Sequence, residues 1–186
     1  MCHVSRHEMS LRRFRLEPFP AGGPLPDLTV AVEVARRFNS LALRYTVRPV
    51  SGIVIPASTG APGRRDGLWK ETCLECFLAI KDSPGYWEFN LSPAGYWNGY
   101  SFSGYREGMK EEKLLQALPF KVVREANLLS LALELHLDTL VRADQALDLG
   151  VSAVLQHTDG HVSYWALTHR GTQPDFHRRD CFIIEL

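Results

Sequence analysis

Apolar and polar residues alternate with a period of two along nearly the whole chain. "LTVAVEVARRF" sets Leu28, Val30, Val32 and Val34 against Thr29, Ala31 and Glu33, and "LALRYTVRP" continues with Leu41, Leu43, Tyr45 and Val47. "TCLECFLAI" opposes Leu74, Cys76, Leu78 and Ile80 to Cys73, Glu75 and Phe77. "YWEFNLS" opposes Trp87, Phe89 and Leu91 to Tyr86, Glu88, Asn90 and Ser92. "LLSLALELHL" opposes Leu129, Leu131, Leu133 and Leu135 to Ser130, Glu134 and His136. Side chains alternate across a strand, so this period describes strands with one face buried. "LRRFRLE", "GIVIP", "LGVSAVLQH", "HVSYWALTH" and "CFIIEL" read as further strands. Turn chemistry separates them at "GAPGRRDG", "KDSPG", "SPAG" and "TDGH".

This pattern predicts an all-β fold: an antiparallel β-sandwich of about ten strands, jelly-roll-like, with helix under about 15%. The little helix expected is a turn in "GYREGMKEEKLLQAL" and one in "LDTLVRADQALDLG". The length of 186 residues fits one domain. We expect residues 1–8 to be a frayed tail and 9–186 to form the single domain, with "PFPAGGPLPD" a long surface loop.

Charge narrows the functional classes. Basic and acidic residues number 21 each, which leaves no positive surplus for general binding to nucleic acid or to an anionic membrane. The N-terminus holds no apolar run of signal-peptide length and no window reaches the roughly 20 apolar residues of a membrane span, so a cytoplasmic location is expected. Cys73 and Cys76 form a C-x-x-C, but within a strand they point to opposite faces and read as buried free thiols.

The stretch "YWEFNLSPAGYWNGYSF", residues 86–102, places seven aromatics in seventeen positions beside Glu88, Asn90 and Asn98. A hairpin of "ETCLECFLAI" and "YWEFNLS" puts Glu75, Phe77, Glu88, Asn90 and Ser92 on one face. The next strand, "GYWNGYSF", adds to that face either Trp97 or the set Tyr96, Asn98 and Tyr100. Rings beside carboxyl and amide groups suit a carbohydrate: its C–H faces stack on aromatics and its hydroxyls pair with polar side chains. The competing reading has these polar groups satisfying turns and the rings packing as core.

"DGLWKETCLECFLAI" followed by "YWEFNLSPAGYWNGYSF" resembles the type 9 carbohydrate-binding modules and the related DOMON-like domains. The match runs through Trp69, Glu71, Cys73, Glu75, Phe77 and Leu78, then Tyr86, Glu88, Phe89, Asn90, Ser92, Pro93 and Gly95. The tail "SYWALTHRGTQPDFHRRDCF" is similar to the closing segment of a bacterial DOMON-like subgroup. The resemblance implies a β-sandwich of about ten strands that holds a small sugar between aromatic rings. It also implies an alternative, since relatives in the broader group bind haem b through a methionine and a histidine.

The ligand-binding set expected here is Trp69, Glu75, Asn90, Ser92, Trp97, Tyr100, Trp165 and His169, with Trp69 at the rim of a concave face and Trp165 and His169 sharing one strand parity. The expected function is a non-catalytic module for a small carbohydrate, able to serve a separate partner enzyme. Two other classes stand beside it. One is a haem-binding domain, for which Met9 and Met109 are the candidate methionines. The other is a small glycan-acting enzyme using Glu75 and Glu88, or a metal (Ca or Zn) at His169, Asp175 and His177.

Overall fold

The computed structural model describes residues 11–20 and 27–186. The expected frayed tail at 1–8, Met9, and most of the 18–27 loop lie outside them. Thirteen strands follow one another among the described residues. They are β1 (Arg12–Pro18), β2 (Thr29–Arg37), β3 (Ser40–Arg48), β4 (Gly63–Arg64), β5 (Cys73–Ile80), β6 (Tyr86–Leu91) and β7 (Tyr96–Phe102). After them come β8 (Lys110–Glu111), β9 (Phe120–Glu125), β10 (Leu128–His136), β11 (Leu147–Gln156), β12 (Val162–Ala166) and β13 (Ile184–Glu185).

The strands make one curled sheet in the order β4-β7-β6-β5-β11-β12-β1-β2-β3-β10-β9, with β8 on β7 and β13 on β11. β1 is the fold line. Its residues Arg12 to Leu16 pair with β2, while Glu17 and Pro18 pair with β12. The sheet thereby folds into two layers, β1-β2-β3-β10-β9 over β7-β6-β5-β11-β12, with the main core between them. Pairing is antiparallel except for the two-residue parallel contact of β4 with β7. The all-β reading from alternation therefore holds.

Of the two expected turns, the one in "LDTLVRADQALDLG" is present as a single hydrogen-bonded turn, in which the Leu140 and Val141 N–H groups donate to the Leu137 carbonyl at 2.8 and 2.9 Å. The helices among the described residues lie elsewhere and are both 3₁₀: Leu68–Lys70 and Arg179–Cys181. "GYREGMKEEKLLQAL" instead supplies the short β8 and an irregular loop, and "GIVIP" supplies only an isolated bridge from Ile53 to His157. Both segments are too short or too charged to bury a full strand face.

Alternation fixes the inner faces. Val30, Val32, Val34, Leu41, Leu43, Tyr45, Leu131 and Leu133 of one layer meet Leu74, Cys76, Leu78, Phe89 and Leu91 of the other. The Tyr45 hydroxyl crosses the core and donates to the backbone carbonyl of Glu75. The second layer is also covered outside. Phe77, Ala79, Tyr86, Tyr100, Phe102 and Phe182 form a smaller cluster there, against which Trp69 and Phe176 pack. Cys73 and Cys76 are buried on opposite faces and free, as strand geometry requires.

The C-terminal segment lies close on β11 because residue 150 is glycine. A Cβ there would stand 2.8 Å from Cδ1 of Phe182. Gly150→Ala is therefore expected to destabilise the fold by about 1–3 kcal/mol, the usual cost of overpacking. Denaturant unfolding checks this, and an unchanged midpoint would mean that Phe182 moves freely.

Candidate functional site

The outer face of the second layer carries the chemistry. Register places Glu75 opposite Asn90 and Ser152, and Glu88 opposite Phe77 and Tyr100. Glu75 and Glu88 are thus diagonal neighbours on adjacent strands, both pointing away from the main core, a separation that side chains of their length can span. Over them closes a cover of three pieces: the turn bearing Trp69, the loop bearing Arg106 and Met109, and the C-terminal segment bearing Phe176 and His177. The cavity beneath is about 360 Å³ and is also lined by Phe102, Val154 and Tyr164. That volume lies at the small-molecule end of ligand sites. Larger hollows of about 650 and 670 Å³ lie beside Trp97 and on the outer face of the other layer, but no buried charged side chain lines either.

The floor is acidic and buried. Glu75 and Glu88 are 3% and 4% exposed. Ser152 Oγ donates to Glu75 Oε2 at 3.3 Å, and Glu75 Oε1 has no hydrogen-bonding partner among the described residues. Asn90 Nδ2 donates to Glu88 Oε1 at 2.7 Å. Burial, together with the proximity of Glu88, pushes the Glu75 carboxyl well above the usual carboxylate range. Burial likewise raises Glu88 to about 7, against partial relief from Asn90 and Arg106. Removing a carboxylate from water disfavours its charged form unless a cation or several donors replace the solvent.

The cover is latched by a polar network. The Tyr86 hydroxyl accepts the Arg106 backbone N–H at 3.1 Å and is hydrogen-bonded to His177 Nδ1 at 2.9 Å. His177 Nε2 stands 3.9 Å from Glu88 Oε2. Burial holds the His177 pKa down to about 4, and Arg106 adds to the effect. The ring sits among Phe77, Tyr86 and Phe102, with centroids 5.1 to 5.9 Å away. Asp175 accepts from Arg106 Nη2 at 2.9 Å, from the His177 backbone N–H at 3.2 Å, and from the Tyr105 hydroxyl. Burial alone would raise Asp175, but these donors outweigh it and hold its pKa low.

The structure brings some expected residues together and separates others. Trp69 and Glu75 line the cavity. Asn90 stands behind Glu88, and Tyr100 meets Trp69 edge-on at 5.8 Å while donating to Asp66. Ser92 accepts the Ala94 N–H at 3.2 Å and closes the "SPAG" turn, where Gly95 takes a φ of 94°. Trp97 and Trp165 both point into the main core. Arg64 stacks over Trp97 at 4.3 Å, and Trp165 donates to Ser163 at 2.9 Å. β12 ends at Ala166, so strand parity does not extend from Trp165 to His169, which instead pairs with the Glu17 carbonyl at 2.9 Å.

That placement also dissolves the His169, Asp175 and His177 cluster. Asp175 and His177 are committed to Arg106, Tyr105 and Tyr86, and His169 is bound at β1. Among the described residues no group of three or more His, Cys, Asp and Glu side chains is placed to hold a metal ion. Met109 and His177 line the same cavity, yet the residues do not fit haem b. A macrocycle needs an apolar slot between its axial ligands, and here two buried carboxyls lie under the space. Arg106, Phe102, Tyr164, Phe176 and His177 were not placed in the ligand set by alternation. Tyr164 precedes Trp165, and only pairing with Val154 shows which of the two faces the cavity.

Solved structures share this fold. A proposed carbohydrate-binding protein from Bacteroides uniformis superposes with a TM-score of 0.70 at 14% identity, over 92% of this chain and 84% of that one. A family 9 carbohydrate-binding module from Caldicellulosiruptor kristjanssonii, in complex with cellotriose, gives 0.52 at 8% identity, over 84% and 72%. At such identities the likeness is one of fold. No protein-family model matches the chain, and no curated protein sequence matches it.

The acid pair makes stability depend on pH. A carboxyl with a raised folded pKa binds protons more tightly folded than unfolded, so its contribution is lost as pH rises from about 4.5 through about 7 for Glu88. His177 acts oppositely, but only between about 4 and 6.5. The His177 contribution is common to both chains and cancels in their difference. Glu88→Gln is therefore expected to gain stability relative to the native chain as pH rises from about 5 to 7, at up to about 1.4 kcal/mol per unit, and to level off above that. Denaturation across that range checks it, and a pH-independent difference would show the carboxyl to be solvated.

Proposed function

We propose that this chain is a non-catalytic binding domain for a small carbohydrate. The observation that carries the reading is the cavity itself: aromatic walls from Trp69, Phe102, Tyr164 and Phe176 over a floor of two carboxyls. A sugar ring presents C–H faces to such walls and hydroxyls to such a floor. The DOMON-like resemblance of the Trp69–Gly95 motif, and a fold shared with a module that binds cellotriose, support the same reading.

The arrangement does not favour hydrolysis. Glycosidases place two carboxyl groups on either side of the scissile bond, one of them ionised. Here both acids lie side by side on one floor, and burial holds both toward the protonated form. Each ring contact adds about 0.5–1.5 kcal/mol beyond area burial, and each hydrogen bond to a protonated acid about 0.5–1.5 kcal/mol. After the cost of association the expected affinity is micromolar to millimolar.

Among the described residues Trp69 is the tryptophan that lines the cavity, so binding should change its fluorescence. Trp69→Ala is expected to stay folded, because the residue is half-buried at the rim, and to weaken binding about tenfold, or 1.4 kcal/mol. Calorimetry with mono-, di- and oligosaccharides tests the function. An absence of saturable binding up to millimolar concentration would refute it.

A further inference from the structure

The floor of the cavity is unfinished in a chemically specific way. Two carboxyl groups lie side by side, each more than nine-tenths buried, and Glu75 Oε1 has no partner among the described residues. Buried carboxylates are ordinarily paired with a cation or hydrogen-bonded throughout. Among the described residues no cation pairs with Glu75. The nearest candidates are spoken for: Arg106 is bound to Asp175 at 2.9 Å with its side chain half exposed, and His177 is neutral against Tyr86. Around this floor stand Trp69, Phe102, Tyr164 and Phe176, and aromatic faces attract organic cations. Two acids beneath aromatic walls form the complement of an ammonium group.

We propose that the ligand of this cavity is a sugar bearing a free, protonated amine, its ammonium seated at the Glu75 and Glu88 carboxylates and its ring against the aromatic walls. This rests on the carbohydrate reading of the same site. A neutral hydroxyl leaves both acids protonated, whereas an ammonium supplies an ionised carboxylate with its counter-charge and three donors. An N-acetylated sugar presents a neutral amide and loses both. A bare metal ion is the poorer fit, since calcium takes six to eight oxygen ligands and the floor offers few.

Binding then couples to protons. The carboxyls must ionise to receive the ammonium, so ligand uptake releases protons below the Glu88 value of about 7. The groups facing the pair do not compete in that range. His177 titrates near 4, Asp175 is held low, burial raises Tyr86 and Cys73, and Arg106 stays charged. Affinity should rise from pH 5 to 7, then fall above about 8 as an amine of ordinary α-amino pKa loses its own proton.

The test is calorimetry on the intact chain with glucosamine, N-acetylglucosamine, glucose and cyclohexylamine at pH 5, 6, 7 and 8, in two buffers of different ionisation enthalpy. The expected result is glucosamine binding at least about tenfold tighter than glucose or N-acetylglucosamine at pH 7, a difference of 1.4 kcal/mol. It should be accompanied by release of about one proton or more at pH 6. Glu75→Gln and Glu88→Gln, confirmed folded by melting at pH 8, should erase the preference, and the wild-type proton release stands as a readout independent of either variant. Glucose binding as tightly as glucosamine would overturn the amine proposal and leave the carbohydrate reading intact. Binding of cyclohexylamine with no sugar bound would overturn both, as would saturable calcium or zinc binding with no effect of any amine.

Discussion

Strand β5 is buried on both faces, and the rest of the molecule is arranged to permit that. Its even-numbered residues Leu74, Cys76 and Leu78 close the main core, while Cys73, Glu75, Phe77 and Ala79 are equally buried on the opposite side. An antiparallel sheet ordinarily leaves one face wet. Here the second face is roofed by loops and by the chain's own C-terminal segment, with Gly150 allowing Phe182 to come within contact. A strand buried twice forces any polar side chain on it out of water. Glu75 is such a side chain, and its environment is the origin of the cavity's chemistry.

The two acids are costly by any account of solvation. A buried carboxyl avoids the larger penalty by holding its proton, and the raised pKa values of Glu75 and Glu88 are the mark of that choice. A purely structural floor would be cheaper as leucine or phenylalanine, which removing a buried ion pair in favour of apolar residues often shows.

The roof is held by hydrogen bonds as well as by the packing of Phe182, Phe176 and the His177 ring on the outer aromatic cluster. Tyr86 joins the Arg106 loop to His177, and Asp175 binds Arg106, Tyr105 and the His177 backbone. These contacts tie the two covering segments to each other and to β6. Exposed or half-exposed ion pairs contribute little individually, so the cover is a cooperative lattice of several weak bonds.

Alternation alone determined the all-β class, the inner faces of the strands, and the shared face of Glu75, Glu88 and Asn90, because a period of two leaves only one way to bury Leu74, Phe89 and their neighbours. It also put Cys73 and Cys76 on opposite sides. It left open whether Trp97 or Tyr96 faces the site, and it set Trp165 there instead of Tyr164, which the structure reverses. In each pair two aromatics of opposite parity stand side by side, and either satisfies the pattern equally well. Pairing with neighbouring strands chose, sending Trp97 and Trp165 into the core and Tyr164 to the cavity. Nor did sequence place Arg106 or His177, which reach the site from loops that carry no period. Local pattern reports which residues seek burial; which of them meet across 70 or 90 positions, as Arg106 with Asp175 and Tyr86 with His177 do, is settled only when the sheet closes and the C-terminal segment folds back over it.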